Sequence, residues 1–202
     1  MIGIVDYDAG NLTSVETALK EIDAEYRIGR YPEDLQGVDK LIFPGVGEAS
    51  SAMSTLKQRG LDTFIKNFAS SGKPLLAICI GYQILLDSSE EGDAECLGII
   101  PGKVKLFPDN EGFKVPHMGW NQIRVTREHP LFNGIPEGAS FYFVHSYYTS
   151  PAETENILTY TDYGITFASA ASMGNITATQ FHPEKSGPYG LRILENFKNY
   201  KG

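Results

Sequence analysis

The amino-acid sequence predicts an α/β fold with a mixed, mostly parallel central sheet flanked by helices. Three observations predict it. The first half of the chain alternates short apolar runs with stretches of helical periodicity, the pattern of parallel strands joined by crossover helices. After Pro101 turn residues become frequent and the apolar runs are β-branched or aromatic, as strands joined by turns require. Across all 202 residues there is no internal repeat, low-complexity segment or linker, so residues 1–202 read as one domain. A chain of this size buries a substantial core without disulfides or metals.

Taken in order, Ile2 to Tyr7 reads as a first strand. Asn11 is placed to cap the helix that follows, whose apolar positions Leu12, Val15, Leu19 and Ile22 share one face. Tyr26 to Ile28 is a second strand and Leu41-Ile42-Phe43 a third, ending at Pro44-Gly45-Val46-Gly47. Ala49, Ala52, Met53 and Leu56 mark one helix, and Phe64, Ile65 and Phe68 the next. Pro74 to Ile78 is a buried strand that runs at once into Cys79 and a helix through Ile84, Leu85 and Leu86. In the second half, Phe141 to Val144 and Ile176 to Phe181 are strands, with a hairpin turn at Met173-Gly174-Asn175-Ile176. A last helix near Tyr189 to Tyr200 turns Leu191, Leu194 and Phe197 inward.

Composition narrows the function. The net charge is −8 and no Lys or Arg run occurs, which argues against nucleic acid or an anionic membrane as partner, since phosphates demand clustered positive charge. Met1 leads straight into Ile2-Gly3-Ile4-Val5 with no charged leader, and no apolar stretch is long enough to span a bilayer, so the expected location is cytoplasmic. Two cysteines, Cys79 and Cys96, are too few for a disulfide framework. The four histidines form no H-E-x-x-H and the cysteines no C-x-x-C, so no metal is expected.

Cys79 sits between a buried strand and a helix, in Ala77-Ile78-Cys79-Ile80-Gly81-Tyr82-Gln83. A tight strand-to-helix turn exposes its central side chain beside the helix N-terminus, whose partial positive charge and free N–H groups favour a thiolate and a developing oxyanion. Gly81 relieves crowding in such a turn. The alternative is an inert core cysteine. His182-Pro183-Glu184 supplies what a nucleophile needs, a base and a carboxylate to orient it, since positions i and i+2 of an extended segment share a face. The alternative there is a plain surface turn. His117, His129 and His145 have no such acidic neighbour. Pro44-Gly45-Val46-Gly47 departs from a dinucleotide loop, because Ser50 holds the third glycine position; it reads as backbone able to offer an oxyanion N–H, the alternative being a plain strand-to-helix turn.

A P-G-x-G loop, a cysteine at a strand–helix turn and a C-terminal H-P-E, in this order, resemble the class I (triad) glutamine amidotransferases. Within that family, Asp6-Tyr7-Asp8-Ala9-Gly10-Asn11-Leu12, Pro44 to Gly47, Pro116-His117-Met118-Gly119-Trp120-Asn121, His145-Ser146-Tyr147 and Phe181 to Ser186 are similar to the glutaminase subunits of imidazole glycerol phosphate synthases. Glutaminases for anthranilate or aminodeoxychorismate synthesis, the nearest alternative, usually carry P-G-P-G where this chain has Val46 and lack H-M-G-W-N. A cysteine hydrolase acting alone is a further alternative. Two positions depart from the family: Ala77 replaces the usual Gly, and Tyr82 the usual Met or His.

The resemblance implies a flavodoxin-like fold, a Cys79–His182–Glu184 triad, and an oxyanion held by backbone of Gly45, Val46, Gly47 and Ile80. It further implies that Gln83 and Glu91 hold L-glutamine, with backbone of His145, Ser146 and Tyr147 lining the same pocket; by itself the run Glu90-Glu91-Gly92-Asp93 reads as a solvated acidic stretch. No cofactor is implied. The implied partner is a cyclase subunit with a (β/α)8 barrel, expected as a separate chain because nothing outside the domain could form it, to which ammonia is channelled within a heterodimer for histidine biosynthesis. Trp120 and Lys185 are the interface candidates; a core tryptophan is the bland alternative for Trp120.

Overall fold

A computed structural model describes residues 1–8, 12–109 and 112–201. Helix α1 (Thr13–Glu21) joins strands β1 (Ile2–Val5) and β2 (Tyr26–Gly29), a 3-10 turn at Pro32–Leu35 leads to β3 (Lys40–Phe43), and helices α2 (Ala49–Arg59) and α3 (Leu61–Ser70) lead in succession to β4 (Leu75–Ile78). Helix α4 (Ile80–Leu85) follows β4 directly. The second half adds β5 (Ser88–Ser89), β6 (Ala94–Glu95), β7 (Gly102–Leu106), β8 (His117–Gln122) and β9 (Arg124–Val125). Then come β10 (Ser140–His145), β11 (Tyr147–Pro151), β12 (Ile157–Tyr163), β13 (Ile165–Met173), β14 (Ile176–Thr179) and helix α5 (Gly187–Asn199).

The main sheet has the order β2-β1-β3-β4-β14-β13-β12-β9. Pairing is parallel from β2 through β14 and antiparallel beyond it. The alternation of side chains along each parallel strand divides the core in two. Ile4, Ile42, Leu76 and Ile78 pack with Val15 and Leu19 of α1 and Ile193, Leu194 and Phe197 of α5. Val5, Leu41, Phe43, Leu75 and Ala77 face the other way, onto Met53, Leu56, Leu61 and Ile65 of α2 and α3. Burial of each large aliphatic side chain contributes roughly 1.5–3 kcal/mol, so these two layers hold the strand ends in place.

Several boundaries differ from the sequence reading. The first strand stops at Val5 because the Asp6 carboxylate accepts the Asp8 N–H at 3.0 Å and turns the chain. Asn11, the expected cap of α1, lies outside the described residues. The strand expected over Ile176 to Phe181 ends at Thr179. The hairpin at Met173 to Ile176 is present, with those two residues paired. No helix among the described residues is long and apolar enough to cross a membrane.

The order puts β1 between β2 and β3, so the chain winds first one way and then the other. In such sheets ligands bind beyond the carboxyl ends of the strands at this reversal. Here β1, β3, β4 and β14 are successive parallel neighbours, and the segments leaving their carboxyl ends carry Tyr7, Gly45, Cys79 and His182.

Candidate active site

Cys79 has φ 56° and ψ −110°, the left-handed side of φ that a residue with a Cβ seldom occupies. Such a conformation costs of order 1–3 kcal/mol and persists where the surroundings impose it. Here they do: the Cys79 N–H is bound to Thr179 O at 2.7 Å, and the Cys79 carbonyl accepts from Gln83 N at 3.2 Å. Gly81 is needed because a Cβ there would stand 2.0 Å from the Phe43 carbonyl oxygen. Ala77 and Tyr82, the two departures from the family pattern, are wholly buried against α2 and α3.

His182 and Glu184 are joined, though not in the way an extended segment would join them. Pro183–Lys185 is a short 3-10 turn, and it folds the carboxylate back so that Glu184 Oε1 lies 2.7 Å from His182 Nδ1. Both side chains are almost completely buried. His182 Nε2 meets no partner of good hydrogen-bond geometry among the described residues. Burial lowers the His182 pKa, but negative charge on Cys79, attraction of its sulfur for the ring N–H, and Glu184 reverse this and carry it to about 10. The imidazole is thus held ready as an imidazolium beside the sulfur.

Val46, Gly47, Cys79, Ile80, Gln83, Glu91, His145, Ser146 and Tyr147 line one cavity of about 220 Å³. Nine of the residues expected at the site therefore meet in one place. Gly45 adjoins it: a Cβ on Gly45 would lie 2.3 Å from Ile80 Cγ2. Glu91 enters from the loop after β5, its Oε2 accepting the first N–H of α2, from Ala49, at 2.9 Å. Burial raises the Glu91 pKa, the Ala49 bond lowers it and Glu48 raises it further. Gln83 is partly committed to the scaffold, donating to Tyr147 O at 2.9 Å and Gln180 Oε1 at 3.1 Å.

The sequence reading missed Gln180, whose Nε2 lies 3.7 Å from Cys79 Sγ, and the setting of His145. His145 Nδ1 lies 2.7 Å from Tyr147 O, and its Nε2 3.0 Å from His117 Nδ1. Asn121 Nδ2 is 3.2 Å from His117 Nε2 and donates to Asp162 O at 3.0 Å. A carbonyl can only accept, so His145 carries its proton on Nδ1 and, being neutral, accepts at Nε2 from His117. Burial lowers these pKa values to about 3 and about 4. No local signal could have revealed this pair, because β8–β10 register alone sets His145 opposite His117.

Trp120 is 60% exposed, which excludes a core role. Lys185 is also exposed. The two stand on adjoining elements: Trp120 pairs across the ladder with Tyr142, whose backbone carbonyl accepts from His182 N at 2.9 Å and whose N–H donates to Ser186 Oγ at 3.0 Å. Cys96 is buried far along the chain from this edge, and burial pushes its thiol up to about 11.

A cysteine on a strained strand-to-helix turn, backed by a buried His–Glu pair at the carboxyl edge of a parallel sheet, is an arrangement suited to an α/β enzyme with a thiol nucleophile. Residues 3–199 match the family model described as glutamine amidotransferase class-I. The chain belongs to the class-I glutamine amidotransferases. It is 49% identical over 198 residues to the imidazole glycerol phosphate synthase subunit HisH of Dehalococcoides mccartyi strain 195, covering 98% of this chain and 96% of that one. It is 50% identical over 199 residues to the subunit of the same name from Methanosarcina mazei, covering 97% and 96%. The solved structure of PurLQS from Thermotoga maritima shares the fold, with a TM-score of 0.76 at 18% identity, covering 100% of this chain and 98% of the matched one.

Proposed function

We propose that this chain is the glutaminase subunit of imidazole glycerol phosphate synthase, a single glutamine amidotransferase domain over residues 1–202. It hydrolyses L-glutamine and passes the ammonia to a separate cyclase subunit with a (β/α)8 barrel. The observation that carries the reading is Cys79 on its strained turn, with the buried His182–Glu184 pair behind it and Glu91 and Tyr147 across one small cavity. The names carried by the two relatives, at about half identity along nearly the whole chain, support the choice of synthase.

In this reading Cys79 sulfur attacks the side-chain amide carbon of glutamine. The oxyanion is held by N–H groups of Ile80 and of the Gly45–Gly47 loop, each such donor being worth roughly 2.7–4 kcal/mol. The C–N bond breaks as His182 gives its proton to the leaving nitrogen, releasing ammonia. His182 then takes a proton from water, whose oxygen attacks the thioester; the C–S bond breaks and glutamate leaves. Glu184 orients and charges the imidazole throughout. Glu91 pairs with the substrate α-ammonium, and Gln83 with the backbone of His145, Ser146 and Tyr147 shapes the pocket. Trp120 and Lys185, with the exposed Met118, form the docking face for the cyclase.

The test is a glutaminase assay of the chain alone and with the cyclase and its nucleotide-like ligand. The expected result is slow hydrolysis alone and strong activation by the liganded partner. Added ammonium salt should bypass Cys79→Ala in the assembled synthase. High activity in the lone subunit, or no response to the cyclase, would overturn the assignment.

A further inference from the structure

Tyr7 carries a buried hydroxyl that meets no hydrogen-bond partner among the described residues. Leaving a buried donor unpaired costs roughly 1–3 kcal/mol, so its retention calls for a reason. Its surroundings offer one. The hydroxyl rests against the α-carbon of Gly45, where a Cβ would lie 1.7 Å from Tyr7 Oη, so position 45 must be glycine for the two to coexist. Burial, and after it the charge of Cys79, raises the pKa of this hydroxyl well above the usual tyrosine range.

The loop after β3 is a partition. Val46 and Gly47 line the cavity of about 220 Å³ that holds Cys79, and they also line a second cavity of about 320 Å³ whose walls include Tyr7, Ser51 and Thr55. Gly45 C=O and Val46 N–H belong to one planar peptide and point in opposite directions. Turning the Val46 N–H toward Cys79 therefore turns the Gly45 carbonyl away from it, and the Tyr7 hydroxyl, packed against Gly45 and without another acceptor among the described residues, is a neighbouring donor for that carbonyl.

We propose that Tyr7 is a positioning residue: its hydroxyl donates to the Gly45 carbonyl in the catalytic state and so holds the Val46 N–H toward the oxyanion. This rests on the reading of the loop as an oxyanion donor given above. Tyr7 touches neither glutamine nor the reacting atoms and acts only through the peptide. Its unpaired hydroxyl destabilises the resting arrangement relative to the catalytic one.

The test is Tyr7→Phe in the assembled synthase, with glutamate release and thermal denaturation measured together. The expected result is a kcat about tenfold lower, a KM for glutamine changed by less than about twofold, and a Tm not lowered, since an unpaired buried hydroxyl has been removed. 3-Fluorotyrosine at position 7, a stronger donor of nearly the same size, should restore kcat. An unchanged kcat in Tyr7→Phe overturns the proposal, as does a loss of kcat accompanied by a fall in Tm, which marks a packing role. Val46→Pro, which removes the N–H itself, separates the two readings. A fully active Val46→Pro sinks the oxyanion role of the Val46 N–H and with it the proposal for Tyr7, whereas an inactive Val46→Pro beside an unimpaired Tyr7→Phe sinks only the role of Tyr7.

Discussion

His182 and His145 flank Cys79, the proposed nucleophile, in almost the same local arrangement. Each is buried, and each has its Nδ1 2.7 Å from an oxygen two residues further along the chain, Glu184 Oε1 in one case and the Tyr147 carbonyl in the other. Their fates are opposite. His182 is raised to about 10, while His145 is lowered to about 3. Burial acts in the same direction on both, and the hydrogen-bond lengths are equal, so neither explains the difference. What differs is the charge of the partners: Cys79 and a carboxylate for His182, a neutral carbonyl and a second imidazole for His145. One buried imidazole is thereby prepared to carry a proton, and the other is locked neutral as scaffold.

The comparison can be broken most completely at its charged end. Cys79→Ala should reduce glutamine hydrolysis to background while folding and partner binding persist; substantial residual turnover would move the nucleophile elsewhere. His182→Ala should lower kcat by about 10²–10⁴-fold, because base and acid are lost together. Glu184→Gln should cost less, since the imidazole stays and only its orientation and charge weaken. Steady-state kinetics of the pair would check the ranking, and negligible effects from both would reduce H-P-E to a turn.

Opposite shifts also predict opposite slopes of stability with pH. His182 loses its charge near 6.5 when unfolded and near 10 when folded, so the folded state binds more protons between these values. Its contribution is complete below the unfolded pKa and lost as pH rises toward 10. His145 and His117 are held to about 3 and about 4 from the same ordinary value of 6.5, so the unfolded chain takes up protons first as the solution is acidified. Their contribution is complete above 6.5 and lost as pH falls through that window. Thermal denaturation across pH should show Glu184→Gln flattening the alkaline limb and His117→Gln the acid limb. A variant that flattened both limbs would contradict the separation.

The smallest effect is expected at the second thiol. Cys96→Ala should leave glutamine hydrolysis within about twofold and lower stability by about 1 kcal/mol, as loss of a small buried group does. Its thiol, pushed up to about 11 and donating to the Ala94 carbonyl at 3.7 Å, should also alkylate far more slowly than Cys79. Loss of activity in Cys96→Ala would show that the two cysteines had been confused.

Much of this was legible in the residues alone, for reasons that can be named. The apolar runs at Ile2, Leu41 and Pro74 to Ile78 specify buried strands because a strand covered on both faces must be apolar at nearly every position. Cys79 at the exit of such a strand, Gly81 two residues on, and His182 with Glu184 are all local patterns, and local patterns survive folding. The extended geometry assumed for His182-Pro183-Glu184 did not, since Pro183 opens a 3-10 turn that reaches the same pairing by another route. Tertiary structure decided the rest. The β8–β10 register sets His145 against His117, and the crossovers that order β1, β3, β4 and β14 side by side bring Tyr7, Gly45, Cys79 and Gln180 together. Periodicity tells a side chain which face of its own element it occupies, but not which strand will lie alongside; that is settled only when the sheet assembles and the two apolar layers close over it.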